Sequence, residues 1–195
     1  MPDQETLSVY AAKAADYARL VASDTPGKAL RAFIAALPEH SRVLDLGCGV
    51  GDGARHMMAA GHIVDAWDAS PEMAALARQR GVEAEIRTFD DLDAIAEYDG
   101  VHANFSLLHA PKSDFPAHLA RIVRALKPGG LFHFGTKLGE GERRDALGRF
   151  YAFYGEAELD ELFAAAGLQI LNRHRGREAG LAGTIDPFII LLART

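Results

Sequence analysis

The chain has 195 residues, 49% of them apolar and 25% charged, with 21 lysines and arginines against 27 aspartates and glutamates, a formal net charge of −6. This is enough apolar material for one sizeable core, too little length for a second full domain, and a composition outside the disordered class. The acidic balance disfavours unspecific binding to nucleic acid or anionic lipid. The longest apolar stretch, 188–193, falls far short of the roughly 20 residues of a bilayer span, and the lone Cys48 excludes an internal disulfide or a cysteine-based zinc site. The opening Met-Pro-Asp-Gln-Glu lacks the basic and apolar regions of a secretory signal, which makes the cytoplasm the expected location.

Leu7, Tyr10, Ala14, Tyr17 and Leu20, then Leu30, Phe33, Ile34 and Leu37, recur at helical spacing. They predict two N-terminal helices within 5–37, parted by Thr25-Pro26-Gly27 and stopped at Leu37-Pro38, where the residue before proline leaves the α region. From Arg42 short apolar runs alternate with helical segments. Strands are expected at 42–46, 62–67, 83–88, 100–104 and 131–136, and helices at 53–60, 71–79 and 115–126. This βαβ rhythm predicts a doubly wound α/β fold, a parallel sheet with helices on both faces and its post-strand loops along one edge. After the turn Lys127-Pro128-Gly129-Gly130, residues 138–154 read as a lid insertion rich in Gly, Arg and aromatics. A helix at 156–166 and two strands near 168–174 and 186–193 complete one domain, 1–195.

The run Leu44-Asp45-Leu46-Gly47-Cys48-Gly49-Val50-Gly51-Asp52-Gly53 is a strand passing through a glycine loop into a helix. Glycines let a ligand reach the main chain, and the helix behind them offers unpaired N–H groups, so a nucleotide-like guest is expected. The dinucleotide fingerprint fails at its sixth position, which is Asp52 and not glycine. Asp52 reads equally as an acid unfavourable to a pyrophosphate and as a helix cap. Asp68 ends the second strand roughly 20 residues after the loop, where ribose-binding acids lie. It is either the acceptor for both ribose hydroxyls or, with Ser70, a cap for the helix opened by Pro71.

Asp45-x-Gly47-x-Gly49-x-Gly51, Asp68-Ala69-Ser70-Pro71-Glu72-Met73, Tyr98-Asp99-Gly100-Val101 with Ser106-Leu107-Leu108-His109, and Leu126-Lys127-Pro128-Gly129-Gly130 together resemble the class I S-adenosylmethionine-dependent methyltransferases. The pattern runs in the family's order from about residue 40 to 193, and within the family it is similar to small bacterial members of the tellurite-resistance type. The resemblance implies a seven-stranded Rossmann-like sheet, mostly parallel with an antiparallel last strand. It implies S-adenosylmethionine as cofactor and S-adenosylhomocysteine as product. Asp45 and Gly47, with Cys48 beside them, would lie near the methionine moiety, Gly49 and Gly51 would allow close approach, Asp68 and the adjoining Ala69 would meet the ribose, and Met73 would pack near the adenine. Asn104 and Phe105 match the position facing the methionyl part. Thr88 stands where the family often carries an adenine-binding acid, so that Phe89 and Leu92 would line the ring while Asp90 or Asp91 either accepts from the adenine or is solvated.

Methyl transfer by in-line displacement requires alignment more than acid or base help. Where the acceptor must lose a proton, the candidate bases are His109, Tyr10, Tyr17, Tyr151 and Tyr154, with His109 the best placed and otherwise a pocket-wall residue. Tyr10 and Tyr17, on one helical face, either close over the site or pack on the domain. Arg149 and Tyr151 of the 138–154 segment are expected to reach a small-molecule acceptor. No histidine pair has metal-ligand spacing, so no metal is expected. Two other readings stand beside methyl transfer: a methyltransferase-like module that binds cofactor without turnover, and a nicotinamide-dependent oxidoreductase.

Overall fold

A computed structural model describes residues 2–195. Helix α1 (Gln4–Val21) starts where the Asp3 carboxylate accepts the Thr6 N–H at 2.8 Å, and α2 (Lys28–Ala36) ends at an extended Leu37 before Pro38. The alternating segment then gives β1 (Arg42–Leu46), α3 (Asp52–Ala59), β2 (Ile63–Asp68), α4 (Pro71–Gln79), β3 (Ala84–Ile86), β4 (Tyr98–Asn104), α5 (Phe115–Ala125) and β5 (Leu126–Lys137). The strands β6 (Glu142–Arg144) and β7 (Phe150–Ala152), helix α6 (Glu156–Ala165), and strands β8 (Gln169–Ala179) and β9 (Ile185–Arg194) follow.

Seven strands form one sheet in the order β3-β2-β1-β4-β5-β9-β8. The pairs of β1 with β2 and β4, of β2 with β3 and of β4 with β5 are parallel, whereas β9 runs antiparallel to both β5 and β8. The expected antiparallel last strand is therefore present. Two apolar clusters bury the sheet: Phe115, Phe132, Phe134 and Phe163 belong to one, with α5 and α6, and Phe33, Val43, Met57 and Leu131 to the other, with α2 and α3. Each such fully buried side chain contributes about 1.5 to 3 kcal/mol.

Three segments differ from their sequence expectation. Strand β5 begins at Leu126, because Leu126 pairs with Tyr98 before Lys127-Pro128-Gly129-Gly130 bulges out and Leu131 resumes the ladder opposite Gly100. The turn residues are thus a bulge inside a strand, with Gly129 at φ 77°. Strands β8 and β9 extend past 174 and start before 186, making a long terminal hairpin. Residues 138–154 hold an ordered two-stranded antiparallel sheet, in which Arg143 faces Tyr151 and Arg144 faces Phe150. Among the described residues no helix is long and apolar enough to cross a membrane.

Neighbouring strands β1 and β4 leave the sheet towards crossovers on opposite sides, and ligands of open α/β sheets bind in the crevice this creates at the carboxyl ends of the strands. The loops after β1, β2, β3 and β4 meet there, and α1 lies across them.

Candidate functional site

A pocket open to solvent lies at that edge. Its floor is main chain. The Gly47 and Cys48 N–H groups both donate to the Trp67 carbonyl, at 2.8 and 2.9 Å, fastening the loop after β1 to β2. Gly47 sits at φ 80°, and a Cβ there would approach Ser106 Cβ to 2.3 Å, so glycine is required both by the backbone and by the space. Ser106 holds the other side of this contact by donating from Oγ to the Leu46 carbonyl at 2.6 Å.

Asp68 closes the pocket beside the loop. Its Oδ2 accepts the Gly49 N–H at 2.7 Å and its Oδ1 accepts the Ser70 N–H at 2.9 Å. Burial raises its pKa to about 6, reinforced by the nearby Asp45 charge and opposed by the two backbone donors. Ser70, which also lines the pocket, caps α4 by accepting the Met73 N–H at 3.3 Å. Phe105 holds a left-handed φ of 55°, a strained geometry for a bulky side chain of the kind concentrated at functional sites.

At the far end, Thr88, Phe89, Asp90 and His118 line the cavity. The Phe89 and His118 rings meet edge to face at 5.5 Å, and His118 Nε2 lies 3.4 Å from Asp90 Oδ1. Asp91 instead accepts from both the Thr88 N–H and hydroxyl, at 2.7 and 2.8 Å, and Leu92 is fully buried in the core.

The opposite wall comes from α1, which presents Thr6, Leu7, Tyr10 and Tyr17, facing His109, Ala110 and Pro111. His109 Nδ1 is 2.6 Å from the Phe150 carbonyl, which can only accept, so this nitrogen carries the proton. The other nitrogen, Nε2, accepts the Tyr10 hydroxyl at 2.8 Å. Burial lowers the His109 pKa to about 4, with Arg149 and Lys137 adding to the effect, so the ring is neutral at pH 7. Tyr10 Oη in turn accepts from Arg149 Nη1 at 3.1 Å.

Of the residues expected at the site, Gly47, Gly49, Asp68, Ala69, Met73, Phe89, Asp90, Asn104, Phe105, His109, Tyr10 and Tyr17 all line this one pocket. Five stand behind it. Asp45 is buried and its Oδ1 is bonded at 2.8 Å to Nδ1 of His102, itself stacked near His133 and Phe33. Cys48 packs among alanines at 54, 66, 74, 77 and 84, and burial pushes its thiol pKa up. Gly51, at φ 79°, allows α3 to approach Val82 and Ala77, which a Cβ would meet at 3.0 and 3.2 Å. The expectation that Arg149 and Tyr151 reach the acceptor is corrected: Arg149 is 2% exposed, and its Nε and Nη2 both donate to Asp145. Tyr151 packs behind His109 with ring centroids 4.7 Å apart. The wall expected from 138–154 is supplied by α1. Tyr154, the other candidate base, is a core residue.

Thr6, Leu7, Ser106 and His118 are pocket residues that sequence reasoning missed. A signal existed for His118, a lone polar residue on the apolar face of α5 between Phe115 and Leu119. Thr6 shares a helical stripe with Tyr10 and Tyr17. Among the described residues no group of three or more His, Cys, Asp or Glu side chains is arranged to hold a metal ion.

A methyltransferase-domain family model matches residues 43–130, from β1 to the bulge of β5. A structure of 1,6-didemethyltoxoflavin-N1-methyltransferase from Burkholderia thailandensis, with 1,6-didemethyltoxoflavin and S-adenosylhomocysteine bound, is similar over 98% of this chain and 89% of its own, at 28% identity and a TM-score of 0.72. Residues 43–130 thus carry a methyltransferase domain, and the whole chain has the fold of the S-adenosylmethionine-dependent methyltransferases. A trans-aconitate 2-methyltransferase of Mycolicibacterium gilvum is 36% identical over 98 residues, 49% of this chain. That stretch spans only 38% of the relative. TehB from Haemophilus influenzae shares the fold, with a TM-score of 0.73 at 17% identity over 94% of this chain and 67% of its own.

Proposed function

We propose that the chain transfers the methyl group of S-adenosylmethionine to a small molecule bound between the cofactor and α1. The observation that carries this reading is Asp68, a nearly buried carboxylate held by two backbone N–H donors at the floor of a cavity whose adjoining wall, at Gly47, leaves no room for a Cβ. Each oxygen of a carboxylate has a second lone pair, so Asp68 has one acceptor for each hydroxyl of a ribose diol. Gly47 and Gly49 would leave the backbone open to the methionyl portion, Met73 and Phe89 would flank the adenine, and Asn104 and Phe105 would face the reacting end. Asp52 occupies the first turn of α3, with Arg55 and His56 beside it at 3.4 and 3.6 Å. An acid in place of the sixth-position glycine of the dinucleotide fingerprint favours a cofactor without a pyrophosphate.

When bound, S-adenosylmethionine supplies an electrophilic methyl group on a positively charged sulfur, the acceptor's lone pair making the new bond to carbon as the old bond's electrons return to sulfur. The protein's part is alignment and the exclusion of water: α1 covers the pocket, and its tyrosines and His109 hold neutral polar groups at the acceptor side. Calorimetric titration tests the assignment. S-adenosylmethionine and S-adenosylhomocysteine are expected to bind while NAD and NADP do not; binding of NAD with no response to either adenosyl ligand would overturn it. Cofactor binding with no methyl transfer to any small molecule would favour the module without turnover.

A further inference from the structure

We infer that His133 is a positioning residue for the cofactor: it turns the Asn104 side-chain amide so that Nδ2 faces the carboxylate of the methionyl portion of S-adenosylmethionine. The inference rests on the methyl-transfer reading above and adds to it a residue behind the pocket.

The order of the strands gives the direction. Phe89 follows β3, Asp68 ends β2, the glycine loop follows β1 and Asn104 ends β4, and these strands are neighbours in that order. A cofactor with its adenine against Phe89 and its ribose on Asp68 therefore lays its methionyl portion past the glycine loop towards Asn104, which lines the pocket. The loop itself has little to offer a carboxylate. The N–H groups of Gly47 and Cys48 donate to the Trp67 carbonyl, that of Gly49 to Asp68 and that of Gly51 to the Cys48 carbonyl. Ser106, beside the loop, donates to the Leu46 carbonyl. A carboxylate entering a partly desolvated pocket needs donors, and the Asn104 amide carries two N–H bonds on Nδ2.

The orientation of that amide is fixed from below. His133 Nε2 lies 3.4 Å from Asn104 Oδ1, and an amide oxygen can only accept, so the His133 proton is on Nε2. Oδ1 also occupies the space that Gly135 leaves, where a Cβ would come within 2.3 Å of it. With Oδ1 directed at the sheet, Nδ2 lies on the other side of Cγ and has no hydrogen-bond partner among the described residues.

His133 is itself held. It is 1% exposed and stands opposite His102 in the β4–β5 register, with ring centroids 4.5 Å apart, and the Phe33 ring covers it at 5.5 Å. His102 is anchored to Asp45 at 2.8 Å. Burial and the neighbouring His102 hold the His133 pKa well below the ordinary histidine value, so the ring is neutral and carries a single proton. Its Nδ1 has no partner among the described residues, so the bond to Asn104 is the one this buried ring makes. A polar path from Asp45 to Asn104, on a face otherwise packed with Val43, Met57 and Leu131, costs desolvation that apolar side chains would avoid. Holding a pocket donor in place accounts for it. His133 lies beyond the stretch 43–130 that the family model matches.

The test is calorimetric titration of the full chain with S-adenosylhomocysteine and with 5′-methylthioadenosine, which keeps the adenosine and the sulfur but has no carboxylate. Asn104→Ala and His133→Phe are each expected to weaken S-adenosylhomocysteine about tenfold or more, the scale of a hydrogen bond to a charged group, and to leave 5′-methylthioadenosine within about twofold. His133→Leu is the second donor-free variant if Phe does not fold. The double variant is expected to be no weaker than Asn104→Ala, because His133 acts through that residue. His133→Gln, whose amide puts an N–H near the place of Nε2, should bind both ligands close to wild type. Unchanged S-adenosylhomocysteine affinity in Asn104→Ala overturns the inference, as does its selective loss in His133→Gln. So do additive losses in the double variant, or an equal loss of both ligands in a folded donor-free variant, which would mark a merely structural role. Failure of the wild-type chain to bind S-adenosylhomocysteine would instead overturn the methyl-transfer reading beneath it.

Discussion

On the cofactor side the pocket wall is main chain: the loop after β1 is fastened to Trp67 by two backbone bonds, and Asp68 is held by two more. On the α1 side the wall is held by side chains from distant parts of the sequence. Asp3 takes Arg144, the Phe150 N–H donates to Thr6 Oγ1 at 2.8 Å, and Tyr10 sits between Arg149 and His109. The C-terminal half of α1 rests on a small apolar cluster around Ala14, Val50 and Met73. Backbone contacts survive most side-chain changes, so the first wall suits a fixed ligand. The second can be rebuilt by a few substitutions, which is how one fold serves many acceptors.

The sharpest way to break this contrast is Arg149→Met. The Arg149–Asp145 pair is mostly buried, with side chains 2% and 14% exposed, and removing one partner of a buried pair costs about 3 to 5 kcal/mol. Chemical denaturation should register that loss, and α1 amides should exchange faster with solvent because Tyr10 loses its donor. Affinity for S-adenosylhomocysteine should stay within about twofold, since sites without shared partners vary nearly independently. A parallel collapse of cofactor binding would show that the two walls are one unit.

Asp68→Ala probes the other wall. It should cost about 1.5 to 3 kcal/mol of cofactor affinity, the scale of hydrogen bonds to a charged group, without loosening α1. Its pH dependence has a definite sign. In the free protein burial raises the Asp68 pKa to about 6, so its contribution to stability is complete below the ordinary carboxylate pKa and is lost as pH rises through 6. Ribose hydroxyls donate to the ionised form, so binding runs the opposite way: affinity is flat above pH 6 and falls by up to about tenfold per unit below it. Titrations at pH 5, 6 and 7 on wild type and Asp68→Ala check this, and a slope that persists in the variant would assign the effect elsewhere.

The contrast also explains what could be read from the sequence. The alternation of strands and helices, the glycine loop and Asp68 are visible because they are local demands: an apolar period, a positive φ at Gly47, an acid at a strand end. Arg149 looked free because nothing local shows that Asp145 and Tyr10, 4 and 139 residues away, take up its donors. The bond from Asp45 to His102 on a neighbouring strand is equally invisible in the sequence. The stripe of Tyr10 and Tyr17 was visible as a helical face, but which surface it covers is decided by the hairpin at 142–152, and long-range polar pairing leaves no periodic trace.

The smallest expected effect separates two jobs of one residue. Asp3 caps α1 through the Thr6 N–H and also takes two nitrogens of Arg144, at 2.9 and 2.8 Å. Those contacts hold its carboxyl well below the usual carboxylate range. Arg144 stands at the surface, where an ion pair is screened and contributes little, so the cap should dominate. Asp3→Ala should loosen the first turn of α1 by about 1 kcal/mol, whereas Asp3→Asn, which caps as well but carries no charge, should lie close to wild type. Hydrogen exchange of the first α1 amides measures both. If Asn proves as damaging as Ala, the charge pairing with the hairpin, and not the cap, is what holds α1 over the pocket. The same result would make closure of the acceptor wall sensitive to salt, because an exposed pair weakens with ionic strength while a cap does not.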